Sequence, residues 1–269
     1  MPASFCYWYM QLLGKLYYLV RRRERRQIET NIREMLKSTK IAGRVVRETF
    51  KGIFAHYYEK LFSAFRDLDQ IERYMRRKVT IQNSHLLGDA MDSGKGVILV
   101  TAHWGAVEFI PWVLGLAGYP VSVILECQTK HLESALEERA RFIKAEMISC
   151  DGTTHVFARA LESLSNNRLL MTECDEVDTW HKRQNRTIDL FGQRLYLDNT
   201  LNILARRSGA KVLGVFLKRV SSGRYSLIVE PISGYEDTAT GALNLWQKYV
   251  TEHPEQWYQW KKWQAMKAS

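Results

Sequence analysis

Apolar positions follow two different rhythms along this chain. Between residues 27 and 80, Val46, Phe50, Ile53, Phe54, Tyr57 and Leu61 recur at three- and four-residue steps, while Arg44, Arg47 and Lys51 lie off that stripe. This spacing predicts helices with one core-facing side. From about residue 79, short β-branched runs take over: Val79–Gln82, Val97–Thr101, Val121–Leu125, Glu146–Cys150, Arg168–Thr172, Lys211–Lys218 and Tyr225–Glu230 read as strands. Helical patterns alternate with them at Trp104–Leu116, Leu132–Lys144, Thr154–Ser165, Asn199–Ser208 and Ala239–Glu252. Gly94-Lys-Gly96 marks a turn, Gly118-Tyr-Pro120 ends a helix, and Pro111 belongs in an early helical turn or a kink. Residues 173–189 read as a polar loop. Strand–helix alternation predicts an α/β fold: one domain with a mostly parallel core sheet flanked by helices, preceded by a basic N-terminal helical region.

The first 26 residues break the pattern. Phe5–Val20, FCYWYMQLLGKLYYLV, is rich in aromatic residues, Trp8 among them, and Arg21, Arg22, Arg23, Arg25 and Arg26 follow at once. An aromatic, apolar run ending in arginines predicts an interfacial anchor on anionic lipid. The run has 16 residues and includes Gln11 and Lys15, short of the ~20 apolar residues a spanning helix needs. The organisation read from these patterns is a leader at 1–26, a basic helical region at 27–80 and an α/β core at 81–269, the last two packed as one unit.

Charge sharpens this picture. Residues 1–80 hold 18 basic and 8 acidic side chains, whereas residues 81–269 hold 21 of each, so the whole net charge of +10 sits in the first third. That asymmetry points to an anionic partner. A membrane suits the aromatic context, and no nucleic-acid-binding motif is present. With 269 residues, 46% hydrophobic, the chain can bury a large core. Its four scattered cysteines form neither a disulfide scaffold nor a zinc motif.

Candidate chemistry concentrates after the strand Val97–Thr101, where Thr101-Ala-His103-Trp-Gly105-Ala-Val-Glu108 puts a histidine at a strand's C-terminal end. Ligand sites of α/β sheets open at that edge. A helix starting near Trp104 would bring Glu108 back to the imidazole, where its carboxylate could hold one ring N–H and leave the other nitrogen to accept a proton. No serine or cysteine nucleophile lies beside the pair, so direct attack by a substrate hydroxyl is the simplest chemistry.

The segment HWGAVE resembles the H-x4-D/E motif of the lysophospholipid acyltransferase superfamily, and most closely that of the late acyltransferases of lipid A biosynthesis. Further segments resemble that family in the expected order: the basic leader GKLYYLVRRRERRQIETNIRE, the acidic loop with Glu173 and Asp175 before Phe191-Gly192, the stretch ARRSGAKVLGVF from Ala205, and the ending His253-Pro-Glu-Gln-Trp257-Tyr-Gln-Trp260-Lys-Lys-Trp263. The resemblance implies a single acyltransferase domain on the cytoplasmic face of a bacterial inner membrane. It implies transfer of a fatty acyl chain from an acyl thioester, acyl-acyl carrier protein or acyl-coenzyme A, to a hydroxyl of a lipid A precursor or similar glycolipid, with no metal or other cofactor. It makes His103 the general base and Glu108 its carboxylate partner. Glu173, Asp175, Arg141 and Asn199 become candidates for substrate binding, with Glu173 and Asp175 positioning the acceptor or the base or else standing in a solvated loop. The chain departs from the family pattern at TECDEVD in the acidic loop, at Asp198-Asn199-Thr200, and at Leu125-Glu-Cys127, where an arginine-proline pair is common.

Other residues carry plainer readings. Arg139 and Arg141 face solvent or hold a phosphate. His131, His155 and His181 read as surface histidines, and His253 as part of a turn that locks the C-terminal segment. Trp257, Trp260 and Trp263 either pack on the domain or sit at a membrane interface. Alternative functions are acyl transfer to a lysophospholipid, aminolipid or glycosylated metabolite, hydrolysis of the thioester, or membrane binding without catalysis.

Overall fold

The computed structural model describes residues 3–37, 42–127, 129–150, 155–176, 186–220, 223–232 and 237–268. The chain begins with helices α1 (Ala3–Val20), α2 (Arg22–Leu36), α3 (Ala42–Phe65) and α4 (Leu68–Lys78). Then follow β1 (Val79–Gln82), α5 (His85–Met91), β2 (Val97–Thr101), α6 (Ile110–Leu116), β3 (Val121–Leu125), α7 (Lys130–Phe142), β4 (Glu146–Ser149), α8 (Val156–Ser165) and β5 (Leu169–Glu173). The remainder is β6 (Thr187–Leu190), β7 (Gln193–Tyr196), α9 (Thr200–Ser208), β8 (Lys211–Val220), β9 (Arg224–Pro231), α10 (Thr238–Glu252) and α11 (Trp263–Met266).

Seven strands form one sheet in the order β1-β9-β8-β2-β5-β3-β4. Strands β8, β2, β5, β3 and β4 run parallel, while β9 is antiparallel to β8 and parallel to β1. The mostly parallel α/β sheet is the one the strand–helix alternation implies. Central β2 is buried along its whole length, as a strand covered by helices on both faces must be.

Two expected elements change form. The span Trp104–Leu116 is not one helix. It is an irregular turn, a 3-10 turn at Val107–Phe109 and then α6, which starts with Pro111 in its first turn. The expected polar loop 173–189 also contains the start of a hairpin, β6 pairing with β7. Its two-residue turn, Phe191-Gly192, has positive φ at both positions, 53° and 69°, the geometry of a type I′ turn. The Phe191 ring lies edge-on to Trp246 and Trp263, at 5.4 and 5.8 Å, so packing holds a bulky residue in a conformation it seldom adopts.

The three tryptophans of the C-terminal segment belong to the core. Trp257, Trp260 and Trp263 are fully buried with Trp104 and Trp246, and the Trp246–Trp257 and Trp257–Trp260 rings meet nearly at right angles at 5.2 and 4.8 Å. Pairs of this kind add about 0.5–1.5 kcal/mol each beyond area burial. A membrane-interface role for them is thereby replaced by a packing role.

The N-terminal helices are integrated with this core. Ile28, Ile32, Met35, Val46 and Phe50 are buried in the same cluster as the tryptophans. Helix α1 packs on α3 through Tyr7 on Tyr58 and Tyr18 on Phe50. Helix α3 is riveted to β8 by a bidentate ion pair between Arg219 and fully buried Glu59, 2.7 and 2.8 Å. It then crosses the C-terminal edge of the parallel strands, where His56 stacks on Tyr258 and Phe65 on His131.

The outer face of α1 stays uncovered. Trp8 is 59% and Leu19 62% exposed, and Phe5, Tyr9, Leu12 and Leu16 are exposed too. Tyr57, Leu61 and Phe65 extend the apolar surface along α3. No helix among the described residues is long and apolar enough to cross a membrane. Arg21, Arg22, Arg23 and Arg26 are exposed where α1 meets α2. Arg25 is half-buried and lies over the Tyr18 ring at 4.8 Å.

Candidate active site

Strand register builds the site. Thr101 at the end of β2 pairs with Glu173 at the end of β5, and the Cys174 backbone N–H donates to the Thr101 carbonyl, 2.9 Å. Two residues beyond each strand end, His103 and Asp175 therefore meet. The His103 backbone N–H donates to both Asp175 oxygens at 3.1 Å, and ring Nδ1 lies 3.0 Å from Asp175 Oδ1. Asp175 is fully buried, and Trp257 Nε1 donates to its other oxygen at 2.7 Å. Burial opposes the Asp175 charge, but the His103 ring and these donors outweigh it and hold its pKa below the usual carboxylate range. An ionised carboxylate only accepts, so Nδ1 carries the hydrogen and Nε2 is left to do chemistry.

The loop after β2 is shaped to present this histidine. Gly105 has φ 61°, and a Cβ there would lie 2.1 Å from the Leu217 carbonyl oxygen, so only glycine fits. Its N–H donates to the Gln256 carbonyl and the Ala106 N–H to Leu217, 3.0 and 2.8 Å. The C-terminal segment clasps the same loop. Trp104 bridges Trp257, the Tyr258 N–H donates to the His103 carbonyl, and Trp104 Nε1 donates to the His253 carbonyl. The Gln256 side chain pairs with the Arg219 backbone in both directions. His253 thus acts through its backbone, in the locking turn read from the sequence.

Glu108 is the principal correction. Because the chain leaves β2 through the Gly105 turn and not through a helix, Glu108 is not returned to a ring nitrogen of His103. It faces α3, 3.6 Å from His56 Nε2 and 3.7 Å from Lys60 Nζ. Burial raises its pKa, and Lys60 and His103 pull the other way. Asp175 occupies the orienting place expected for Glu108.

Nε2 faces further acid. Glu173 Oε2 and Glu176 Oε1 each lie 3.3 Å from it, and Lys262 holds Glu176 at 2.9 Å. Burial disfavours the imidazolium, but Asp175, Glu173 and Glu176 outweigh it and push the His103 pKa up to about 9. Burial, with the neighbouring carboxylates, raises Glu173 to about 7 against the pull of His103. Candidate ligand atoms of His103, Glu173 and Glu176 all lie within 4.8 Å of one another, a place for a small cation.

Two expected substrate residues stand elsewhere. Arg141, in the last turn of α7, sits with Glu137, Ala145 and Met147 in a hollow at the start of β4, the opposite edge of the sheet from His103. Helix α7 runs back along the sheet, which carries its last turn away from the site. Arg139 donates to the Arg66 carbonyl at 2.5 Å. Asn199 accepts from Arg186 and Asn202 in an open hollow lined also by Arg206 and Asp237, not by the His103 cluster. His181 lies outside the described residues.

A histidine held by a buried carboxylate at a sheet edge fits acyl transfer, and comparison with protein families decides the class. The model of the bacterial lipid A biosynthesis acyltransferase family matches residues 1–264. The chain belongs to this family. It is an acyltransferase of lipid A-like substrates, as the H-x4-E and HPEQW motifs suggested. Comparison with curated proteins finds no match. Trp257 and Lys262, which contact Asp175 and Glu176, are neighbours of the candidate site that sequence reading missed. Both lie in the HPEQW ending, whose match to the family was the available signal.

Proposed function

We propose that this acyltransferase moves a fatty acyl group from a thioester, acyl-acyl carrier protein or acyl-coenzyme A, to a hydroxyl of a membrane glycolipid, with His103 as general base. The observation that carries this reading is the Asp175–His103 contact, which holds Nδ1 and leaves the Nε2 lone pair as the proton acceptor. Nε2 takes the hydroxyl proton as the oxygen attacks the thioester carbonyl. The tetrahedral intermediate collapses, the C–S bond breaks, and the imidazolium returns the proton to the leaving sulfur. Asp175 fixes the tautomer and stabilises the imidazolium. Glu108 acts at a distance, through its charge and its hold on α3.

The enzyme works from the surface of an anionic bilayer, on the cytoplasmic face of the inner membrane. Support comes from the uncovered apolar side of α1 with Trp8, from its continuation along α3 over the catalytic edge, and from Arg21, Arg22, Arg23, Arg25 and Arg26 beside it. Apolar side chains enter the interface while the arginines meet lipid phosphates, so the acceptor reaches His103 without leaving the membrane.

Detergent-solubilised enzyme given acyl-acyl carrier protein and total membrane lipid should yield an acylated lipid by mass spectrometry. His103→Ala should not. Co-flotation with anionic vesicles should survive that substitution and fail for Trp8→Ser combined with Arg22→Ala and Arg23→Ala. Product from His103→Ala at the wild-type rate would refute the base assignment.

A further inference from the structure

Acyl transfer creates a negative charge where acids already gather. When a hydroxyl oxygen adds to a thioester carbonyl, the carbonyl oxygen becomes an oxyanion, and the barrier falls when donors are fixed where that charge develops. Glu173, Asp175 and Glu176 surround the His103 ring, and Glu108 stands on its α3 side. Ionised carboxylates only accept hydrogen bonds, so none of them can serve. The oxyanion needs a donor that these acids have not used up.

Three cations border the acids and differ in what they have left to give. Lys262 donates to both oxygens of Glu176, at 2.9 and 3.0 Å. Arg219 is spent on Glu59, and its spare nitrogen, Nη1, is buried. The Tyr258 hydroxyl is also spare and equally covered. Lys60 is different. It meets one oxygen of Glu108 at 3.7 Å, longer than a hydrogen bond, and its side chain is 23% exposed. An ammonium has three donors, so at least two remain for a ligand.

The fold brings this ammonium toward the base. Helix α3 crosses the C-terminal edge of the parallel strands, and His56 and Lys60 lie one turn apart on one face of it. His56 stacks on Tyr258 at 4.3 Å, and the Tyr258 ring stands edge-on to His103 at 5.6 Å. Glu108 Oε1 touches both His56 and Lys60. The charges of Lys60 and His103 reach the same groups: burial raises the Glu108 pKa while both pull it down, and burial lowers that of His56, with Arg219, Lys60 and His103 adding to it.

We infer that Lys60 is the oxyanion donor: its ammonium, carried over the sheet edge by α3 and held by Glu108, donates to the thioester oxygen as the carbonyl becomes tetrahedral. This rests on the acyl-transfer reading and adds to it a second catalytic residue, with Glu108 as its positioning residue. The hydroxyl proton passes to Nε2, the O–C bond forms, and the carbonyl π pair moves onto oxygen, where a Lys60 N–H meets it. The pair then returns to carbon, the C–S bond breaks, and Nε2 protonates the thiolate. Lys60 keeps its three hydrogens throughout.

The test measures kcat and donor KM with acyl-acyl carrier protein and with acyl-coenzyme A over saturating total membrane lipid, reading acylated lipid by mass spectrometry. Lys60→Met should lower kcat on the order of 10²-fold, as loss of one oxyanion donor does, with donor KM within about twofold of wild type. Lys60→Arg keeps charge and donors and should recover about tenfold of that loss. Two inhibitors separate catalysis from packing: a thioether analogue of acyl-coenzyme A, which lacks the carbonyl, and an analogue with a tetrahedral phosphonate in its place. Lys60→Met should weaken the phosphonate on the order of tenfold and leave the thioether unchanged. Should Lys60→Met fail to fold by circular dichroism, Lys60→Gln makes the same comparison. An unchanged kcat, no recovery in Lys60→Arg, a raised KM at constant kcat, or both inhibitors weakened together would each overturn the inference while wild type still turns over. No acylated lipid from wild type with either thioester would overturn the acyl-transfer reading, and the inference with it.

Discussion

Two polar clusters flank His103, and they are built on opposite principles. On the α3 side, Glu108 is met by Lys60 and His56, so the carboxylate has its counter-charge and the ring of Tyr258 separates His56 from His103. On the β5 side, Asp175, Glu173 and Glu176 gather round both ring nitrogens, and Lys262 is the one lysine or arginine among the described residues in contact with them. The paired cluster joins the N-terminal helices to the sheet edge that carries His103. The acid-rich cluster works on the ring itself. Family membership and an H-x4-E motif alone would have assigned both tasks to Glu108.

Substitutions can break this contrast at several strengths. His103→Ala should cost the most, about 10⁴-fold in kcat, the upper range for loss of a general base. Asp175→Asn should come next, about 10³-fold, because the amide cannot both accept from Nδ1 and stabilise the imidazolium. Glu108→Gln should lose only about tenfold, since it removes a charge near the ring and not a contact with it. Steady-state kinetics on the three purified variants, with circular dichroism to check folding, orders them. If Glu108→Gln lost more than Asp175→Asn, the roles of the two clusters would be exchanged.

A smaller effect sharpens the electrostatic half of the comparison. The His103 pKa is raised in the folded protein, to about 9 from an ordinary 6.5. Its contribution to stability is therefore fully present below about pH 6.5 and lost as pH rises through about 9. Thermal melts of wild type and Asp175→Asn should differ more at pH 6 than above pH 9. With an acceptor that carries no positive charge, kcat/KM should rise with pH through the same upper limb.

Much of this was legible in the sequence. β-branched runs located the parallel strands, and the position of His103 after Val97–Thr101 placed it at the C-terminal edge of the sheet. Asp175 was read, with Glu173, as positioning the acceptor or the base or as part of a solvated loop, and its contact with Nδ1 was not itself legible. The pairing depends on β5 lying beside β2 in a register that sets Thr101 against Glu173, and no local pattern encodes which parallel strands are neighbours. Helical periodicity across Trp104–Leu116 misled because the Gly105 turn, fixed by a close backbone approach to Leu217, overrides propensity. The burial of Trp257, Trp260 and Trp263 was undecided for a related reason: aromatic residues near basic ones suit a membrane edge and a core equally well.

The central claim is that Asp175, not Glu108, holds the His103 ring and sets its proton affinity. Nitrogen-15 NMR of the labelled imidazole, followed through pH, reads this without substrate or donor. The account predicts a hydrogen on Nδ1 when the ring is neutral and a titration midpoint near 9. In Asp175→Asn that midpoint should fall well toward the ordinary histidine value, with a much smaller change in Glu108→Gln. A midpoint that stays put in Asp175→Asn and falls in Glu108→Gln would contradict it.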